Sequence, residues 1–251
     1  VSEPDINLEL DASPFGGTWS GAGVTGSMFS PQDAGVGSHE IIYTIGSDNC
    51  QVWDTLWIEI FELPTIDISN NEADACVSID SVYLNASPVG GNWSSPDGGQ
   101  LFEDIFLPAT SGPGVYTLVY SFTNSNNCVS EEQYLFTVND LPFLISNDTT
   151  YCQSPGIVSL PYASPTGGTW TGPGVVNPAG SFDPMSVPTP GTYALYYSYV
   201  DANSCVSSIQ IAVEVQELEL VEAGPDTILC IDQGVYQMQD YTPTTGGFWS
   251  G

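Results

Sequence analysis

Apolar and polar residues alternate along this chain in short runs. Tyr116, Leu118, Tyr120 and Phe122 are interleaved with Thr117, Val119 and Ser121, and the same period returns at Tyr193, Leu195, Tyr197 and Tyr199. A period of two puts successive side chains on opposite faces of a β-strand, so both runs are predicted strands. Leu56, Ile58 and Ile60 form a further set with Tyr134, Phe136 and Val138 and with Ile209, Ile211, Val213 and Val215, each reading as the strand that closes a unit. Clusters of Gly, Pro, Asn and Ser break the chain at short intervals, and no helical period lasts even three turns. The predicted fold class is all-β, in sandwiches of about seven short strands.

The pattern is repeated. A proline, two glycines, any residue and a tryptophan recur at residues 14–19, 88–93, 165–170 and 243–249, the last copy one residue longer. Trp19, Trp93, Trp170 and Trp249 are 74, 77 and 79 residues apart, and Cys50, Cys128 and Cys205 follow at 78 and 77. A fixed period of about 77 residues signals tandem modules rather than one enzyme core. Closing strands meet brief joints at Glu62, Leu63 and Pro64, at Asp140, Leu141 and Pro142, and at Gln216, Glu217 and Leu218. The predicted modules are residues 1–62, 63–140, 141–217 and 218–251. Joints of two or three residues cannot act as flexible coil, so the modules are expected end to end as a semi-rigid rod. The first module lacks its opening strand and the fourth stops just after Trp249, so the chain reads as a window on a longer protein.

Six cysteines occupy repeat-equivalent places, with Cys76, Cys152 and Cys230 early in a module and Cys50, Cys128 and Cys205 late. A module of about 77 residues buries little more than 60% of its unfolded surface, so a covalent staple helps. Pairing Cys76 with Cys128 and Cys152 with Cys205 would close loops of about 53 residues, worth roughly 4 kcal/mol in the chain-entropy model. The rival scheme, Cys50 with Cys76, Cys128 with Cys152 and Cys205 with Cys230, joins neighbouring modules and stays open. Zinc is disfavoured, because no two cysteines stand two to four residues apart and the only histidine is His39. Disulfides in turn point to an oxidising, extracellular setting.

Charge narrows the function. An average protein of this length carries roughly 28 Lys and Arg, whereas this one carries none against 30 Asp and Glu, for a net charge of −30. Without cations the chain cannot displace counterions from nucleic-acid phosphates or adhere to anionic lipid, so neither is an expected partner. Lack of Lys and Arg also removes every cleavage site for trypsin-like proteases, which suits a protein outside the cell; a bias inherited from one ancestral module is the alternative. No internal Lys or Arg salt bridge forms, and repulsion between carboxylates is expected to ease as salt rises. Catalysis is not expected, since there is no Ser-His-Asp set and no oxyanion cation, and acidic pairs such as Glu131 and Glu132 are expected in an exposed, solvated turn.

The glycines of each repeated turn allow positive φ, and the tryptophan beside them is expected to fill the space between two sheets. The segments at residues 114–120 and 191–197, Gly-x-Tyr-x-Leu-x-Tyr, resemble the corner of immunoglobulin-like and PKD-like domains. That resemblance makes Tyr116 and Tyr193 corner tyrosines bonding back to the backbone. In the first module Gly37, Ile41 and Tyr43 align with this segment, and His39 takes the tyrosine slot as a structural substitute. The run Pro-x-Gly-Gly-x-Trp-[Ser/Thr]-Gly-x-Gly-Val at residues 14–24 and 165–175, Phe-x-Pro at 29–31 and 182–184, and Asp-Ala-Asn-Ser-Cys at 201–205 resemble the tandem Ig-like or PKD-like repeats of Bacteroidetes cell-surface proteins. These include gliding-motility adhesins exported by type IX secretion. The likeness spans the whole chain, with departures at Ser94, Ser95 and Pro96, and at Ser2, where alignment with Cys76 wants a cysteine and Cys50 could lose its partner.

This resemblance implies a cell-surface location and O-glycosylation at Asp-[Ser/Thr]-aliphatic sequences, for which Thr55, Ser81, Thr149 and Thr227 are candidates. Carboxylates near the joints, Glu62, Asp140, Glu217 and Glu219, are a weak calcium candidate, since none lies in an Asp-x-Asp-x-Asp-Gly loop. Three functions follow. The leading one is a stalk or filament segment of an extracellular adhesin whose partners are other copies or modules of the same surface protein. The second is a self-assembling fibre subunit that uses edge or donated strands. The third is a carbohydrate-binding module contacting surface glycans through Trp53 and Trp57, which are peculiar to the first module.

Overall fold

The computed structural model describes residues 4–47, 50–69, 72–231, 234–237 and 242. The chain divides into two compact units, residues 1–140 and 141–251. In the first unit one sheet pattern occurs twice. Strands β1 (Thr18–Ser20), β2 (Gly37–Ile45) and β3 (Val52–Ile60) form an antiparallel sheet in that order. Strands β4 (Asp74–Cys76), β5 (Asn92–Ser94), β6 (Gly114–Thr123) and β7 (Val129–Asn139) form the second sheet, in the order β5-β6-β7-β4. The long antiparallel hairpin dominates each, and β4 adds in parallel at the far end of β7, with Cys76 opposite Asn139.

The second unit repeats this arrangement. Strands β8 (Thr149–Cys152), β9 (Thr169–Thr171), β10 (Gly191–Val200) and β11 (Val206–Gln216) lie in the order β8-β11-β10-β9. Again the opening strand is parallel to the closing one, with Cys152 opposite Gln216. Each large sheet is partnered by a small three-stranded sheet: Ile6–Asn7 with Met28–Phe29 and Val24–Thr25, Val82–Tyr83 with Ile105–Phe106 and Leu101–Phe102, and Val158–Ser159 with Ser181–Phe182 and Val175–Asn177.

Three separate cores hold these layers together, and the predicted alternation is what builds them. Leu118, Phe136 and Val138 from the long hairpin meet Phe106 from the small sheet and Leu84, which follows its Val82–Tyr83 strand. Leu195, Ile211, Val213 and Val215 meet Leu160 and Phe182 in the same way, and Ile41 meets Leu8 and Phe29. Each fully buried side chain contributes about 1.5–3 kcal/mol by leaving water. The molecule is therefore a set of all-β sandwich modules, each with its own apolar centre. Two single-turn helices, α1 (Pro31–Ala34) and α2 (Pro108–Ser111), were not legible as a helical period because each is one turn long. Their starting prolines fit a first helical position, where the missing N–H costs nothing.

The fourth predicted repeat is different. Its described residues carry no strand, although Glu222 and Thr242 exchange both backbone hydrogen bonds, at 2.9 and 2.8 Å. Ile228, Ile231 and Val235 are exposed there, because no counterpart of the long hairpin covers them among the described residues. Trp249 and Ser2 lie outside the described residues.

Sulfur corrects the sequence reading. Cys128 and Cys152 are free thiols, as is Cys50, so the expected pairs Cys76 with Cys128 and Cys152 with Cys205 do not form. The reason is geometric: Cys76 sits opposite the last residue of β7, whereas Cys128 immediately precedes its first. Eleven residues at about 3.3 Å each put the two ends of this strand more than 30 Å apart. A disulfide tolerates Cα atoms only about 7 Å apart. Cys152 and Cys205 stand at opposite ends of the 11-residue strand β11 in the same way. Cys76 in the first unit and Cys205 in the second are both disulfide-bonded. The free thiols of Cys50, Cys128 and Cys152 equally exclude the pairs Cys50 with Cys76 and Cys128 with Cys152.

Peptide mapping of the non-reduced chain is accordingly expected to yield no peptide linking Cys76 to Cys128 or Cys152 to Cys205. Recovery of either would contradict the strand register described above. For the packing, Leu118→Ala empties the centre of the second module and is expected to cost about 2–5 kcal/mol in a denaturant titration, while leaving the unfolding of residues 141–217 in place.

Candidate functional site

The repeated turn is the most regular feature of the molecule. In each of three modules the first glycine has positive φ, 93° at Gly16 and 95° at both Gly90 and Gly167, a conformation side chains resist. The second glycine is needed for another reason: a Cβ on Gly17, Gly91 or Gly168 would come within 2.4, 2.5 and 2.5 Å of a tyrosine ring carbon. Those rings belong to Tyr43, Tyr120 and Tyr197, on the long strand beside the turn.

Each tyrosine hydroxyl works twice. Tyr43 donates to the carbonyl of Pro14 at 2.7 Å and accepts from the N–H of Gly17 at 2.8 Å. Tyr120 does the same with Pro88 at 2.6 Å and Gly91 at 2.7 Å, and Tyr197 with Pro165 at 2.5 Å and Gly168 at 2.7 Å. The preceding Ser-Pro bonds, at Pro14, Pro88 and Pro165, are all cis. The ring then packs on the tryptophan at 4.6 Å for Trp19 and 5.0 Å for both Trp93 and Trp170. Trp170 is buried in its core, while Trp19 and Trp93 are half-buried against theirs. These bracing tyrosines were not singled out from sequence as turn partners; the signal was a 27-residue separation from the tryptophan shared by the second and third modules, at 93 and 120 and again at 170 and 197, against 24 residues from Trp19 to Tyr43 in the first.

The corner residues lie where the alternating strand begins. Tyr116 donates to the carbonyls of Ser111 at 2.5 Å and Gly112 at 3.1 Å. Tyr193 donates to the Thr189 carbonyl. In the first module Nε2 of His39 donates to Gly35 at 2.8 Å, four residues back. This imidazole therefore ties down a turn, with its ring nitrogen committed to backbone.

Between the two modules of the first unit the joint is in contact with the following hairpin. Nδ2 of Asn124 donates to the carbonyl of Glu62 at 3.3 Å. Ile6, Ile60, Phe61, Leu63, Cys128 and Val129 line a groove of about 660 Å³ at the same place. Asn124 is itself positioned by its own loop, its Oδ1 accepting from the N–H of Asn126 and of Cys128 at 2.9 and 3.0 Å.

Carboxylates act singly. Hydrogen bonds from Thr117, side chain first and then its N–H to Oδ2 at 2.8 Å, hold Asp97 below the usual carboxylate range. Its contribution is therefore present above the ordinary carboxyl pKa and is lost as pH falls through the lowered one. Burial, followed by the charges of Asp74 and Glu72, pushes the Tyr134 hydroxyl upward, and this hydroxyl donates to the Glu72 carbonyl at 2.6 Å. Among the described residues no three His, Cys, Asp or Glu side chains gather around a common point. Glu62, Asp140, Glu217 and Glu219, considered from sequence for calcium, stand at three separate joints and belong to no such group.

Of the modification candidates, Ser81 and Thr227 are exposed, while Thr55 in β3 and Thr149 in β8 are half-buried strand residues. Trp53 and Trp57 project from β3 on the face away from the core and are 71% and 63% exposed. No helix among the described residues is long and apolar enough to cross a membrane.

No protein-family model and no curated protein matches the chain. Among solved structures it is similar to a Ca2+-stabilized adhesin with which an Antarctic bacterium binds ice, at 11% identity and a TM-score of 0.36, covering 82% of this chain and 68% of that one. The insect immune protein hemolin follows, with 12% identity, a TM-score of 0.29 and coverage of 85% and 71%. Immunoglobulin domains 1–4 of Sidekick-1 align at 11% identity and a TM-score of 0.27, over 80% and 67%.

Proposed function

We propose that this chain is a structural repeat segment of a large extracellular adhesin, a stalk or filament piece in which module number sets reach. One observation carries the reading: each module closes its own core and braces its own turn, so the same unit can be added in series without a shared active centre. The brief joint at Glu62, in contact with Asn124, favours a semi-rigid spacer over a flexible chain. The resemblance of the repeated motifs to those of gliding-motility adhesins supports reading the parent as bacterial type IX secretion cargo on the cell surface. Modules at residues 1–62, 63–140 and 141–217 are its repeating units. Stiffening comes from the sheets and joints, since no module is closed by a disulfide of its own.

Pulling the chain from its ends in reducing buffer is expected to give separate unfolding events, each releasing roughly 20–25 nm for a module of about 77 residues. A single event releasing the whole length would sink the modular spacer. Light scattering is expected to show a monomer at all concentrations, and fibres growing with concentration would favour the self-assembling subunit instead. With 30 acids and no Lys or Arg, the melting temperature is expected to rise between low salt and 0.1 M, where screening acts beyond about 10 Å. A melt that falls over that range would contradict the charge argument.

A further inference from the structure

The outer face of the first module's sheet differs from its counterparts. The register pairs Trp53 with Thr44, Thr55 with Ile42, Trp57 with Glu40 and Glu59 with Ser38. Thr18 and Ser20 of β1 lie opposite Thr44 and Ile42 on the same face. Ile41, Ile58 and Ile60 occupy the other face and belong to the core. One side of the sheet therefore presents two exposed indoles in a field of hydroxyls and two carboxylates. In the second module the positions matching Trp53 and Trp57 are Glu131 and Leu135, and in the third they are Ser208 and Ala212, as the shared pairing of Ile60, Val138 and Val215 with Gly37, Gly114 and Gly191 fixes. The sandwich thus forms without aromatic residues at these places, and burial does not account for them in the first.

We infer that this face is a binding site for an uncharged polysaccharide lying along β3. Ring spacing selects an extended ligand: four residues along a strand separate the indoles by about 13 Å, whereas a small cation is held within about 6 Å of each ring that cages it. Charge disfavours an anionic one, because the chain has no Lys or Arg to meet sulfate, uronate or phosphate groups, and the hydroxyl-rich ground around the rings suits a neutral sugar. Pyranose C–H faces carry slight positive charge and stack on the negative face of an indole. Their hydroxyls would find Thr55 between the two rings and Thr44, Thr18 and Ser20 beside them, with Glu40 and Glu59 as acceptors. The site adds a function to the spacer and stands whether or not the spacer reading holds.

Affinity electrophoresis of the full chain tests it, in gels containing hydroxyethylcellulose, xyloglucan or galactomannan, with alginate as the anionic control. At least one neutral polymer is expected to retard the chain and alginate is not. Trp53→Ala and Trp57→Ala should each weaken retardation at least tenfold, Trp57→Tyr less, and Leu135→Ala, at the matching place in the second module, not at all. Both tryptophans are exposed, so unchanged melts are expected for these variants; if an alanine variant melts early, the tyrosine series reads the same site. The inference is overturned if no neutral polymer retards the chain or if the tryptophan variants are retarded like the parent. It is also overturned if the parent sediments as an oligomer that either alanine variant dissolves, since the face is then an interface between copies.

Discussion

The turn before each tryptophan stands or falls with one hydroxyl group. A tyrosine on the long strand donates to the proline carbonyl and accepts from the second glycine's N–H, so both ends of the turn are closed by a single atom. Without it, a carbonyl and an amide near the half-buried indole would lose their partners, at about 1–3 kcal/mol for each group left unpaired. The ring below that hydroxyl presses on the tryptophan, which in turn packs against the core. Backbone turn, sheet and apolar centre are joined through this contact, and it recurs three times with distances that agree within a few tenths of an ångström.

How far the sequence discloses this depends on the kind of signal. Alternation at Tyr116, Leu118 and Tyr120 marks a strand unambiguously, because burial on one face forces period two. The repeated Gly-Gly-x-Trp marks a turn for the same kind of local reason. What it cannot show is a contact between Gly91 and a residue 29 positions away, for which only the same spacing at Gly168 and Tyr197 offers a hint. Cysteine pairing failed on the same ground: equal positions in each module suggest a framework, but which end of a long strand each sulfur occupies is a matter of register. The parallel opening strand, invisible in composition, decides it by carrying Cys76 and Cys152 to the far end of the closing strand. The tryptophans of β3 were visible as residues, yet their common outward face needed the pairing of β2 with β3.

Charge shapes the whole surface by omission. Among the described residues no charged side chain is buried, so every carboxylate keeps its water and its repulsion is softened by solvent. Such a surface is compatible with small independent cores, since no ion pair is required to hold one module to the next. The exposed indoles of β3 share that surface with other exposed apolar side chains such as Phe15, Val89 and Phe143, and differ from them in standing as a pair on one sheet face.

Placing sulfur at the tips of the strands has a consequence for biogenesis. None of the three apolar clusters includes a cysteine, although Cys205 itself is buried, so each core can close around its apolar side chains while the thiols are still reduced. Oxidation is then a finishing step that acts on cores already closed.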